Sequence, residues 1–214
     1  FAMRGDAGLS DDQRHTLVAL SVVCSSISLL GSLSVVITYW LVPRLRSKFV
    51  LRLVSFLAAS DAMVSISNYL SGGSEGSAKC TAQSYMVSFF TLTSVMWMNV
   101  IAFVLDRLVH RPHKALGIRL KEWLFHCLAW GVPFFLTLLP TTTDSYGPAG
   151  SWCWIVPGAT GTAWRFVQFY VPLWLSMLWA ARTYARCWRT LRAALRQHTR
   201  SLPRWRTQSV AAFP

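Results

Sequence analysis

Few side chains in this 214-residue chain are of the kinds that do chemistry, and they are poorly spaced for it. Its long apolar stretches hold one lone carboxylate, Asp61, and one histidine, His126. An active site needs at least two convergent reactive groups. The chain has no HExxH or Walker A pattern and no pair of aspartates within its apolar runs, so it reads as a non-enzyme that needs no cofactor. His110 and His113 flank Arg111-Pro112 and, read as a pair without a carboxylate or cysteine, set no metal site. Asp61 remains the notable group. A carboxylate inside an apolar helix is costly and faces a polar cavity or a partner. It reads as a hydrated ion or switch site, or as a carboxylate satisfied within a bundle, with Asn68 and Asn99 as candidate partners.

The element that must position these groups is the run 81–105, which carries no charge. As a helix it covers roughly 37 Å at about 1.5 Å per residue, more than the ~30 Å hydrocarbon core of a bilayer. Gln83, Ser84, Thr91, Thr93, Ser94 and Asn99 are scattered through it. A helix facing lipid all round would not carry them, so this one is read as the central helix of a membrane bundle, where polar side chains find partners. Composition agrees: 53% of residues are hydrophobic, 14% charged, and mean hydropathy is +0.38. A soluble surface needs more charge.

The chain divides into a segment 1–15, a transmembrane bundle 16–181 and a basic tail 182–214. It begins at Phe1, which suggests a fragment or processed product, and no cleavable signal peptide is evident. Charge-poor runs predict spans at about 16–42, 53–70, 81–105, 123–140 and 164–181. Gly31 and its neighbouring serines predict close helix contact in the first. Pro133 and Pro172 predict kinks in the fourth and fifth. Residues 71–77 read as a flexible connector and 141–162 as a turn-rich loop without Lys or Arg. In the tail, Arg182, Arg186, Arg189, Arg192, Arg196, Arg200 and Arg204 recur at helical steps, opposite Tyr184, Leu191, Leu195 and Leu202. That stripe predicts a helix to about residue 202, either extending the fifth span or lying on anionic headgroups.

The net charge of +13 is placed unevenly. Alternate connections carry four, five and eight Lys or Arg, and the opposite side only Arg4, Arg14, Lys79 and Arg165. By the positive-inside rule the N-terminus is outside and the tail cytoplasmic. The basicity then sets topology in a lipid bilayer, and nucleic acid is not expected as a partner. Cys80 and Cys153 both fall on the oxidising side. They read as a disulfide tying the outer loop across the mouth of the bundle, against the alternative of two free buried thiols. Cys24 and Cys127 read as packing residues, and Cys187 as a juxtamembrane candidate for palmitoylation. Asp106-Arg107 reads as ordinary topology-setting charge or as a local ion pair that holds a resting state.

At Gly150-Ser151-Trp152-Cys153-Trp154-Ile155 the chain resembles the cyclic-AMP receptor-like branch of G-protein-coupled receptors, which includes plant relatives and leans toward the secretin-like class. Cys80-Thr81-Ala82-Gln83, Trp97, Ile101-Ala102-Phe103 with Arg107, Phe169-Tyr170-Val171-Pro172-Leu173-Trp174 and Ser60-Asp61 agree with it, over about residues 17–192. The resemblance implies an all-α, seven-helix receptor fold of which five transmembrane helices are present. It implies a Cys80–Cys153 bridge, an outer pocket for a small extracellular ligand and a heterotrimeric G protein at the inner loops, with outward movement of helix six opening the G-protein cleft.

On that reading Tyr146, Trp152 and Trp154 form the ligand lid. Asp61 and Asn99 are intramembrane switch residues, and Asp106, Arg107, Arg111 and Lys114 form the coupling surface. The chain stops before helix six, so it is expected to be a fragment or a truncated product, unstable alone or paired with another chain as a receptor dimer. The membrane is expected to be the plasma membrane. Two other readings stand beside it: a five-helix transporter or channel subunit using Asp61, and a non-signalling partner of a full-length receptor.

Overall fold

In the computed structural model the described residues are 11–70, 77–111, 117 and 121–201. Helix α1 (Asp11–Leu41) is followed by the single turn α2 (Pro43–Arg46), then α3 (Phe49–Asn68) and α4 (Ala78–His110). A fourth rod is built from α5 (Glu122–His126), a π turn (Cys127–Gly131), α6 (Val132–Leu138) and a 3-10 turn (Leu139–Thr143). Strands β1 (Tyr146–Pro148) and β2 (Cys153–Ile155) form an antiparallel hairpin. The fifth rod joins α7 (Ala159–Trp164), a π turn (Arg165–Tyr170) and α8 (Val171–Ser201).

The distribution of side chains is inverted relative to a soluble domain. On α1, Leu20, Val23, Ile27, Leu30, Ile37 and Leu41 are exposed. On α3 the buried residues include Ser55, Ala58, Ser60, Ala62, Ser65 and Ser67. Small residues let backbones approach, and their hydroxyls are satisfied within the helix: Ser60, for instance, donates to the Phe56 carbonyl at 3.0 Å. Large apolar groups on the outside are stable only against hydrocarbon. Four rods, His15–Leu41, Phe49–Asn68, Ala78–His110 and Glu122–Thr143, are long and apolar enough to cross a membrane. The fifth falls short of that apolarity because Arg165, Gln168 and several Trp and Tyr interrupt its aliphatic residues. The protein is an all-α membrane helix bundle.

Each proline expected to kink a span follows a π turn. The turn at Cys127–Gly131 runs into Pro133, and that at Arg165–Tyr170 into Pro172. Proline cannot donate a helical hydrogen bond and crowds the carbonyl one turn back. The wider turn gives that carbonyl room. Gly31, expected at a close helix contact, is not at one: a Cβ there would meet nothing within 4 Å. Gly161 is such a point, since a Cβ would fall 2.0 Å from the Val156 carbonyl oxygen. That close approach seats α7 directly under the hairpin.

Polar contacts mark the two ends of the bundle. At one end Asn68 donates to Ser25 at 2.9 Å, the hairpin lies over α4 and α7, and its Tyr146 reaches the Thr137 carbonyl of α6. At the other, Arg52 pairs with Glu122 across α3 and α5, and Asp106 meets Arg186 across α4 and α8. The core, Phe49, Leu53, Trp97, Val100, Ile101, Val104, Phe125 and Ala129, lies toward this basic end. Trp97 is fully buried, stacked on Phe56 at 5.1 Å, with His126 edge-on at 5.0 Å.

Candidate functional site

The hairpin is fastened to one face of α4. Cys80, Gln83, Ser84 and Ser88 recur at three- and four-residue steps, which place them on that face. Cys80 is disulfide-bonded to Cys153, with Cα atoms 5.3 Å apart and both residues 2% exposed. The Cys153 amide donates to Gln83 Oε1 at 2.9 Å, and Ser84 Oγ donates to the Trp154 carbonyl at 3.4 Å. The Trp154 indole donates to Ser88 Oγ at 3.1 Å. These bonds satisfy backbone groups that a two-stranded ribbon leaves open.

The opposite edge is held by the fourth and fifth rods. Tyr146 Oη donates to the Thr137 carbonyl at 2.8 Å and accepts from Gln168 Nε2 at 3.1 Å. Burial raises the Tyr146 phenol above its ordinary range, so it stays a neutral donor. Arg165 donates to the Ile155 carbonyl, and its guanidinium lies 5.4 Å from the Trp154 ring. Trp154 also meets Phe169 edge to face at 5.5 Å. Trp154 therefore joins the hairpin, α4 and the second π turn. Tyr146 and Trp154 turn inward to these contacts, whereas Trp152 is 46% exposed at the hairpin turn.

Within the bundle Asp61 takes its hydrogen bond from Ser94 Oγ at 2.7 Å. The asparagines expected beside it serve other contacts. Asn68 donates to Ser25 on α1, and Asn99 Nδ2 donates to Ser176 Oγ on α8 at 2.7 Å. Asn99 Oδ1 is buried without a hydrogen-bond partner. His126 packs against Phe56 and Trp97 and joins no polar group in these ring contacts.

At the basic end the expected Asp106–Arg107 pair is replaced by longer-range contacts. Asp106 faces His110 Nδ1 at 3.3 Å and Arg186 Nη1 at 3.7 Å, while the Arg107 guanidinium lies 5.0 Å from the Phe103 ring. Neighbouring residues on a helix point apart, and Asp106 finds its partners one turn on and across the interface. Arg111 is exposed. Lys114 and His113 lie outside the described residues. Cys24 and Cys127, expected in packing, are exposed on the outer faces of their helices, whereas Cys187 is buried. The sequence reading missed the seam that buries it. Ser176, Ala180, Thr183 and Cys187 form the buried face of α8. Their spacing was the available signal, masked by the arginine stripe.

Apolar rods carry a disulfide-fastened hairpin over one end of the bundle and clustered basic residues at the other, the architecture of a multi-pass membrane protein. A family model described as slime mold cyclic AMP receptor matches residues 9–188, and the chain belongs to that family. It is 36% identical over 189 residues to G-protein coupled receptor 1 of Arabidopsis thaliana, covering 88% of this chain and 57% of the relative. It is 26% identical over 170 residues to cyclic AMP receptor-like protein A of Dictyostelium discoideum, covering 78% of this chain and 44% of the relative. Over 146 residues it is 30% identical to G-protein coupled receptor 157 of Mus musculus, covering 64% of this chain and 44% of the relative. The chain thus spans about half the length of the curated relatives it matches.

Proposed function

We propose that this chain carries the ligand-facing and G-protein-facing parts of a plasma-membrane receptor, with residues 1–15 and the hairpin outside and the tail from 182 in the cytoplasm. The span limits and this orientation rest on charge-free runs and on the placement of Lys and Arg. A small extracellular ligand enters beside Tyr146 and Trp154 and favours one of two bundle arrangements by its differential affinity. The observation that carries the reading is Trp154, held at once by Ser88 of α4 and Phe169 of the π turn before Pro172. A ligand displacing that ring acts on two helices together. Asp106, Arg107, Arg111 and Lys114 form the surface for a heterotrimeric G protein, and Asp61 and Asn99 lie between the two ends.

Cyclic AMP is the first ligand probe, because relatives such as cyclic AMP receptor-like protein A bear that name. In cells co-expressing the fluorescently tagged chain and a tagged Gα subunit, energy transfer should exceed that of an unrelated membrane protein. It should fall to that background in the Arg107→Ala/Arg111→Ala variant. Labelled cyclic AMP should bind the wild-type chain and not Trp154→Ala. Background-level transfer for the wild type would defeat the coupling claim; equal nucleotide binding by both chains would defeat the lid.

A further inference from the structure

Where α4 meets α8 at the basic end, three side chains of metal-binding type converge. Asp106 and His110 lie one turn apart on α4, and Cys187 approaches from α8. One carboxylate oxygen, one imidazole nitrogen and the sulfur lie within 4.8 Å of one another. Asp106 Oδ1 is buried and accepts no hydrogen bond, the nearest side-chain nitrogens being His110 Nδ1 at 3.3 Å and Arg186 Nη1 at 3.7 Å. A buried carboxylate oxygen without a donor is costly, and a bound cation removes that cost. Thr190 Oγ1 lies 3.1 Å from His110 Nε2 and fixes the far side of the ring. Outer partners of this kind orient a histidine ligand.

We propose that Asp106, His110 and Cys187 form a site for a divalent transition metal, with zinc the best match to a carboxylate, an imidazole and a thiolate. Magnesium and calcium prefer all-oxygen sites. Zinc bonds of about 2.0–2.3 Å in a tetrahedron set ligand atoms roughly 3.3–3.8 Å apart, so the cluster closes by about an ångström. His110 Nδ1–H now donates to the Asp106 carbonyl oxygen at 2.9 Å; on binding, that bond breaks, the ring takes the tautomer protonated at Nε2, which donates to Thr190, and the freed Nδ1 lone pair meets the metal. The Cys187 thiol releases its proton to solvent, Arg186 gives up its loose contact, and water takes the fourth position. The bound metal links α4 to α8. His110 shows its fitness as a ligand only here, because its partners come from one turn back and from a distant helix.

Cobalt reports such a site directly. Purified full chain in detergent should bind one equivalent of Co²⁺ with a near-ultraviolet thiolate-to-metal band, and Zn²⁺ should abolish it. Cys187→Ser should lose the band while keeping its helical circular dichroism. A Cys24→Ser/Cys127→Ser chain should keep it. Asp106→Asn, read by Zn²⁺ competition with a chelating dye, should bind at least about tenfold more weakly, which gives a second reading should Cys187→Ser fold poorly. No Co²⁺ binding by the wild type, an unchanged band in Cys187→Ser, loss of the band without Cys24 and Cys127, or unchanged affinity in Asp106→Asn would each overturn the site.

Discussion

Trp154 donates its indole N–H to Ser88 Oγ at 3.1 Å, so a residue of the hairpin is pinned two turns below the disulfide on α4. The ring and its N–H make separable contributions. Trp154→Phe keeps a ring against Phe169 but leaves Ser88 without its donor, and should cost about 1 kcal/mol. Trp154→Ala removes the ring as well and should cost about 3–5 kcal/mol. Thermal unfolding in detergent should rank wild type, Phe and Ala in that order; equal melting of all three would show that Trp154 is not structural.

The Cys80–Cys153 bridge closes a loop of 73 residues in sequence separation. By loop-closure entropy its removal destabilises the fold by about 4 kcal/mol at most. Cys153→Ser and Cys80→Ser should therefore lower surface expression and melting temperature to the same degree, and the double variant should be no worse than either single. An additive double variant would mean that the two sulfurs act independently.

Asn99 of α4 donates to Ser176 of α8 at 2.7 Å, a hydrogen bond between neighbouring helices. Side-chain hydrogen bonds between membrane helices average a coupling of about 0.6 kcal/mol. A double-mutant cycle of Asn99→Ala and Ser176→Ala, read by unfolding in mixed micelles, should return a favourable coupling of that size. Zero coupling would remove this bond from the account of the seam.

Burial holds the Tyr146 phenol above its ordinary range near 10. The folded state thus favours the protonated form, and the unfolded chain gives up this proton first as pH rises. The resulting stabilisation is complete below the unfolded value and is lost as pH climbs through the folded one. Melting temperature followed from pH 8 to 11 should fall more steeply in the wild type than in Tyr146→Phe. Parallel curves would show that the hydroxyl is not held as described.

The helices were legible because a span needs only length and freedom from charge, and 81–105 has both. The two cysteines were legible because topology puts them on one side. Partners were harder. The polar residues that stand out in sequence as partners for Asp61 are asparagines, yet a serine hydroxyl on α4 meets it. Of the two readings of Asp106-Arg107, topology-setting charge and a local pair, the pair is disfavoured because helix geometry sends adjacent side chains to different faces. The three-residue strands were too short to show alternation and are specified instead by Gln83, Ser84 and Ser88 on the helix beneath them. On α8 the strongest period belongs to the arginines of the exposed face, and the small buried residues of the seam carry little hydrophobic signal.

The proposed topology puts Trp152 and the tail arginines on opposite sides of the membrane. On a Cys24→Ser/Cys127→Ser background, Trp152→Cys should react with a membrane-impermeant maleimide on intact cells, and Arg192→Cys only after permeabilisation. Labelling of both on intact cells, or of Arg192→Cys alone, would contradict it.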